Sequence, residues 1–254
     1  CGVVGKGRMP EAEELQEALE YALTPPTLTG QRILITAGGT QEPIDPVRFI
    51  SNYSTGKMGV ALAQVCARRG AEVTMVCGSM SVTPRNPFGA IHRIDALSAQ
   101  EMYEACIAQW PRMNSAILCA AVADFTPCEK AENKIKKGEL KVESRESNVF
   151  SLSLKETADI AKALGQSKRP DQKLIGFALE TQHEIENALH KMERKNLDAI
   201  VLNSLRDKGA GFGVDTNRVT IIRADGNSLE LPLLSKAEAA NEIIRYSFLL
   251  EEAE

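Results

Sequence analysis

From residue 31 the chain alternates two hydrophobic patterns. Short apolar runs, rich in β-branched residues, appear as QRILITAGG (31–39), AEVTMVCG (71–78), IHRIDA (91–96), SAILCAAVAD (115–124), KLIGFALE (173–180) and DAIVLN (198–203). Consecutive apolar positions predict strands covered on both faces, as in a parallel sheet. Between them, apolar residues recur every three or four positions. That spacing predicts helices in GKMGVALAQVCARRG (56–70), near 98–109, in KETADIAKALG (155–165), in HEIENALHKMERKN (183–196) and in SKAEAANEIIRYSFLLEE (235–252). Gly70 serves as a C-terminal cap for the first of these. VTIIRADGNSLEL predicts a hairpin turning on Asp225-Gly226-Asn227. Strands alternating with helices predict an α/β fold, a three-layer α/β/α sandwich around a largely parallel sheet with a C-terminal β-hairpin.

Residues 1–30 break this rhythm. CGVVGKGRMP is glycine-rich and irregular, EAEELQEALEYAL reads as a short helix, and TPPTLTG reads as a linker. Such a stretch has little to bury by itself and reads as an arm on a domain covering 31–254.

Composition narrows the partners. The 254 residues are 43% hydrophobic and 25% charged, ordinary values for a globular chain with one large core or two small ones. A net charge of −4 argues against a general nucleic-acid binder. No apolar run approaches the roughly 18 residues of a membrane span, and no signal peptide opens the chain, so no membrane partner is expected. Cys1, Cys66, Cys77, Cys106, Cys119 and Cys128 form no C-x-x-C pair, which disfavours zinc, and most lie in apolar runs as reduced cysteines do. These features predict a cytoplasmic protein. His92, His183 and His190 fall on separate or exposed elements and form no triad or metal cluster.

In open α/β sheets ligands bind beyond the carboxyl ends of the strands. That rule selects the loops after Ala37, Cys77, Ala123, Ala178 and Leu202. The loop after the first strand, AGGTQEPIDPVRFISNYSTGKMG, holds Gly56-Lys57 but is not a P-loop. Ser51 stands where the leading glycine belongs, and Met58 follows the lysine. It also lacks the G-x-G-x-x-G turn of a dinucleotide site, and the second strand ends on Cys77-Gly78 instead of an acid. Gly38 and Gly39 shape a turn, and with the helix start near Gly56 they let backbone amides approach an anion. Arg48 and Asn52 stand four apart, which in a helical turn puts both on one face. Arg48 then forks onto a phosphate or carboxylate, against the plainer reading of a surface salt bridge. Asn52 donates to a developing oxyanion, against the plainer reading of a helix cap.

Further along, Asp124 ends an apolar run, where a carboxylate either caps a helix or holds a nucleotide through magnesium. Lys130, Lys134, Lys136 and Lys137 follow in EKAENKIKKG, a solvated basic loop or a lid that meets a polyphosphate. Phe177 is a core residue or a platform for a base. Lys191 and Lys195 share a helix face, solvated or turned to one anionic partner.

Together ITAGGTQEPIDPVRFISNYSTGKMG, AAVADF, KIKK, GFALET, RKNLDAIVLN and GFGVDTN resemble the bacterial, CTP-dependent phosphopantothenoylcysteine synthetase family over residues 31–250. Residues 1–30 resemble the tail of the flavin-dependent decarboxylase often fused upstream, with Cys1 matching its catalytic cysteine. That decarboxylase's flavodoxin-like body is missing, so no flavin is expected here. The resemblance implies a Rossmann-like fold and a two-step ligation. The carboxylate of 4′-phosphopantothenate attacks the α-phosphate of CTP, releasing pyrophosphate. The amine of cysteine then captures the acyl-cytidylate, releasing CMP. It implies Asn52 and Lys134 as catalytic residues, with Arg48 and Asn52 on the acid substrate. Gly38, Gly39, Ala120, Ala121, Asp124, Lys134, Ala158, Asp159, Ile160, Ala161, Phe177, Lys191 and Lys195 would meet the nucleotide, Asp124 through Mg2+. Arg48 would reach across a homodimer. LNS at 202–204 and ADI at 158–160 depart from the family's usual AND-like and PDI forms. The competing readings are a nicotinamide-dependent Rossmann oxidoreductase and a non-catalytic nucleotide-fold module.

Overall fold

The structure, a computed structural model, describes residues 9, 11–86, 88–136, 151–180, 183–204 and 213–248. Cys1 and its glycine-rich surroundings, Lys137 and residues 249–252 of the expected last helix lie outside the described residues. The chain runs through α1 (Ala12–Leu23), β1 (Arg32–Ala37), the hairpin β2 (Gln41–Pro43) and β3 (Phe49–Ser51), α2 (Lys57–Arg68), β4 (Glu72–Cys77), β5 (Ile91–Asp95), α3 (Ala99–Gln109) and β6 (Ser115–Leu118). It continues through β7 (Phe125–Pro127), β8 (Leu154–Glu156), α4 (Ile160–Ser167), β9 (Lys173–Glu180), α5 (Glu184–Arg194) and β10 (Ala199–Ser204). β11 (Thr216–Asn217), β12 (Val219–Arg223), β13 (Ser228–Glu230), β14 (Leu234–Ser235) and α6 (Lys236–Phe248) follow.

Eight strands form the main sheet, in the order β13-β12-β10-β9-β6-β1-β4-β5. The strands from β10 to β5 are parallel, and the hairpin β12–β13 closes one edge antiparallel. Counted along the chain, the parallel strands lie in the order 3-2-1-4-5-6, which reverses between β1 and β6. The period of two then builds two cores. Ile33, Ile35 and Ala37 of β1, Val73 and Met75 of β4, and Val201 of β10 pack against Leu62 and Cys66 of α2 and Ile243 of α6. Their neighbours Leu34, Val76 and Ile200 pack on the opposite side against Met102 of α3, Leu164 of α4 and Met192 of α5. Each such aliphatic side chain contributes about 1.5–3 kcal/mol by leaving water. The predicted three-layer sandwich, parallel sheet and terminal hairpin are all present.

Three local expectations change. The run 115–124 is a strand only to Leu118. Beyond it, the amide of Ala120 donates to Thr36 Oγ1 at 3.1 Å, that of Ala121 to the Gly38 carbonyl at 2.8 Å and that of Ala123 to Thr40 Oγ1 at 2.9 Å. These threonines draw the chain off the ladder, so Asp124 stands on a loop. The helix expected over 155–165 starts at Ile160, because Asp159 caps it by accepting from Lys162 N at 3.0 Å, and Leu154–Glu156 pair with β7. Arg48 and Asn52 do not share a helical turn. The Asp45 carboxylate takes the amides of Val47 at 2.8 Å and Arg48 at 2.9 Å, a side-chain turn that feeds a hairpin. The short helix expected before residue 24 is present as α1, which docks on α2 through Glu17, 3% exposed and bonded to Arg68 and Gln64.

Candidate active site

The reversal between β1 and β6 opens a crevice between the loops that leave them. Gly38 has φ +84°, and a Cβ there would meet the Ser79 carbonyl at 2.6 Å, so only glycine lets the two loops close to this distance. Gly39 bridges both Ser79 and Ala121, and a Cβ on it would lie 3.3 Å from the Asn52 carbonyl. The hairpin β2–β3 then brings Asn52 to the loop after β6, where its Nδ2 donates to the Ala121 carbonyl at 3.0 Å. Asn52 is thus fixed beside the crevice by a route other than a helix face.

Two cavities adjoin there. The larger, about 420 Å³, lies over β6 and β9. Ala120, Asp124, Phe177, Lys191 and Lys195 line it, as does the whole stretch Ala158, Asp159, Ile160 and Ala161. Gly176 forms part of its wall, and a Cβ there would meet Leu197 Cδ1 at 2.7 Å. Lys195 Nζ pairs with Asp159 Oδ2 at 3.0 Å, joining the end of α5 to the cap of α4. Burial works to raise the Asp159 carboxyl, but the Lys162 amide and the Lys195 ammonium hold it below the usual carboxylate range. Lys191 and Lys195 therefore do share a face, turned into this cavity.

The smaller cavity, about 140 Å³, lies at the start of α2. Gly38, Ala121, Ser54 and the residues 56–59 contribute from one side. Asn203, Asn217 and Lys236 contribute from the other. Gly56 begins the helix at φ +78° with no side-chain cap, so the first-turn amides stay available to an anion. A Cβ on Gly59 would meet Ala37 Cβ at 2.5 Å, which seats the helix start directly on the end of β1. Ala120 and Phe177 line both cavities and mark where their contents would meet. Phe177 also packs partly against the core.

Arg48, Lys134, Asn52 and Gly39 line neither cavity. Arg48 forks onto Asp45 and also donates from Nη2 to the Ile135 carbonyl at 2.7 Å. The Ile135 amide returns to Asp45 Oδ2 at 3.2 Å, so this pair anchors the segment that carries exposed Lys134. Burial pushes the Asp45 carboxyl up, yet Arg48 and the amides of Val47, Ile135 and Arg48 hold it far below the usual range. Asp124 is exposed at the mouth of the larger cavity, and among the described residues no three His, Cys, Asp or Glu groups gather into a metal cage. A single carboxylate suits a magnesium ion held chiefly by substrate phosphates. Burial lifts the thiols of Cys66, Cys106 and Cys119 to about 12 and that of Cys77 to about 11, which keeps them protonated. No helix among the described residues is long and apolar enough to cross a membrane.

Sequence reasoning gave no site role to Thr36, Thr40 or Lys236, and it noted Asn203 and Asn217 only within LNS and GFGVDTN. The rule that chose the loop after Leu202 pointed at Asn203. Thr36 and Thr40 flank Gly38-Gly39, and no spacing in the sequence marks them. Lys236 opens a distant helix with no motif, and only the fold brings it to the crevice.

Residues 28–248 match the family described as DNA/pantothenate metabolism flavoprotein C-terminal domain. A curated relative from an unknown prokaryotic organism, named Cysteine/Cysteine sulfinic acid decarboxylase, is 49% identical over 249 residues, 96% of this chain and 67% of its own length. Coenzyme A biosynthesis bifunctional protein CoaBC of Bacillus subtilis (strain 168) is 43% identical over 248 residues, 96% of this chain and 58% of its own. The chain thus spans about three fifths to two thirds of these relatives. Among solved structures, the C-terminal domain of a Coenzyme A biosynthesis bifunctional protein CoaBC superposes with a TM-score of 0.71 at 40% identity, covering 89% of this chain and 98% of that one. By sequence along most of its length and by its overall fold, the chain belongs to the DNA/pantothenate metabolism flavoprotein C-terminal domain family.

Proposed function

We propose that the chain is a phosphopantothenate–cysteine ligase of coenzyme A synthesis, driven by CTP. The observation that carries this reading is the pair of adjoining cavities that meet at Ala120 and Phe177. A ligation through an acyl-nucleotide needs the acid's carboxylate held against the α-phosphorus of the nucleotide, which two cavities meeting at shared residues allow. The CoaBC relatives and the family motifs supply the substrate class.

The larger cavity takes CTP, with Lys191 and Lys195 facing its phosphates and Phe177 against the base or sugar. The smaller takes the acid, its anionic end toward the first turn of α2. A carboxylate oxygen attacks the α-phosphorus at their junction. The new O–P bond forms as the bond to pyrophosphate breaks. The cysteine amine next attacks the acyl carbon, forming C–N and breaking C–O to release CMP, and the amine gives up a proton. Asn52, held by the Ala121 carbonyl, stands beside the carbonyl that gains charge. Lys134 enters from the segment anchored by Asp45 and Arg48 and neutralises charge on the phosphates. Magnesium, when bound through the triphosphate, would engage Asp124 and draw charge from the leaving pyrophosphate.

The hairpin β2–β3 exposes Val47 (59%) and Phe49 (51%), the loop after it exposes Tyr53 (89%), and β7, which packs on β2, exposes Phe125. This apolar face supports a homodimer, with Arg48 at its rim. The length of the relatives supports fusion to a flavin-dependent decarboxylase domain, to which residues 1–30 would be the tail. A cytoplasmic setting agrees with the free cysteines. The strand order would also suit a nicotinamide enzyme. However, β1 leads into a hairpin before α2, and β4 ends without the acid that binds a ribose. Mixing the protein with 4′-phosphopantothenate, CTP, cysteine and Mg2+ tests the proposal. Stoichiometric pyrophosphate and CMP are expected, and release of neither product would end it.

A further inference from the structure

Glu42, the middle residue of β2, is a buried acid, only 2% exposed, and it lines neither cavity. Its Oε1 accepts from the amide of Ala99, the first residue of α3, at 2.9 Å. That amide has no partner within the helix, and the positive end of the helix dipole favours an acid there. Yet α3 already carries its own capping box: Ser98 Oγ accepts from the Glu101 amide, and Glu101 Oε2 accepts from the Ser98 amide. What Glu42 adds is a tie between α3 and the hairpin. The Gln41 amide supplies a second tie, donating to the Leu97 carbonyl at 2.7 Å. Burying a carboxyl is costly unless it is bonded, so the Ala99 bond fixes the register of β2. A slip by one residue would turn Glu42 to the other face of the strand.

From β2 these ties pass to Asn52. Gln41 stands opposite Ser51 in the hairpin, and Ser51 Oγ donates to the Thr40 carbonyl at 2.7 Å. The Thr40 amide donates at 3.2 Å to the same Ala121 carbonyl that accepts from Asn52 Nδ2. Asn52 itself is exposed, so its aim depends on the strand that carries it.

We propose that Glu42 is a positioning residue for the amide-forming step, locking the hairpin on the start of α3 and so aiming Asn52 at the acyl carbonyl. The claim rests on the reading that Asn52 serves that carbonyl. Glu42 touches no substrate and exchanges no proton with one; it acts through Asn52. Without the tie, β2 and β3 shift together, and a misplacement of about 1 Å at a reacting centre costs on the order of 10²-fold in rate.

A double-mutant cycle tests this, with Glu42→Ala and Asn52→Ala made singly and together and amide formation followed by mass spectrometry. Glu42→Ala is expected to slow amide formation about 10-fold or more in the wild type and less than about 2-fold in Asn52→Ala. No slowing in the wild-type background overturns the proposal. So does a slowing no smaller in the Asn52→Ala background, because a general loss of fold acts alike in both. Should Glu42→Ala fail to fold by circular dichroism, Glu42→Asp, one methylene too short to keep the tie in place, takes its place with the same outcomes. A second readout needs no catalysis. The Asn52 side-chain amide resonance in 15N NMR, identified by its loss in Asn52→Ala, should move in Glu42→Ala to the position of a solvated amide. An unmoved resonance overturns the proposal. A wild type that makes no amide, while this resonance moves as expected, would refute only the ligase reading.

Discussion

Asn52 shows how one side chain joins fold to chemistry. Its amide is spent partly on the Ala121 carbonyl, which fixes its direction before any substrate arrives. Replacing it by aspartate puts a carboxylate against that carbonyl and against the charge developing on the acyl oxygen. Asn52→Asp should therefore still release pyrophosphate while amide formation falls about 10²–10³-fold, the usual cost of one such donor. Acyl-cytidylate should accumulate in mass spectra of the stalled mixture, and full activity would remove Asn52 from the mechanism. At this scale the sequence was most informative where residues sit within a contiguous motif. Gly38, Asp124, Phe177 and Lys195 were each singled out from strand ends or helix spacing, and each lies at a cavity wall. Lys236 was not, because its nearness to Lys57 arises from the packing of α6 on α2 and leaves no trace in spacing.

Among elements, the strands and helices followed from periodicity because both cores reward it. Errors came where side chains bond to backbone. Asp45 captures two amides and turns the Arg48–Asn52 stretch into a hairpin, and Thr36 and Thr40 peel the chain away after Leu118. The Asp45 unit also reaches Ile135, so it couples the hairpin to the segment bearing Lys134. Asp45→Asn should misplace that segment and lower kcat by up to about 10²-fold with a smaller change in nucleotide affinity. A larger effect on affinity than on kcat would contradict this coupling. The carboxyl is depressed in the fold, so its contribution is complete above the unfolded value of about 3.9 and is lost as pH falls below it. Urea melts should show a constant stability gap between wild type and Asp45→Asn from pH 7 to about 4.5. That gap should shrink in more acid solution; one that widens there would show the sign to be wrong.

At the scale of the whole molecule, the order 3-2-1-4-5-6 fixes where the loops converge and leaves open what they bind. The same sheet serves hydride transfer in other chains, and here the hairpin after β1 displaces the dinucleotide turn. The apolar face on that hairpin predicts a dimer in solution. Tyr53→Glu combined with Phe49→Glu should give a monomer by sedimentation, with activity lost if Arg48 works across the interface. A wild type that sediments as a monomer at assay concentration would remove the dimer. Assembly, however, is secondary to the chemistry assigned to the crevice, where an acid oxygen is transferred to the nucleotide's phosphorus. The direct measurement uses 4′-phosphopantothenate labelled with 18O in its carboxylate, with unlabelled CTP, cysteine and Mg2+. Attack at the α-phosphate predicts one 18O atom in each CMP released and none in pyrophosphate. Amide formed alongside unlabelled CMP would contradict the account.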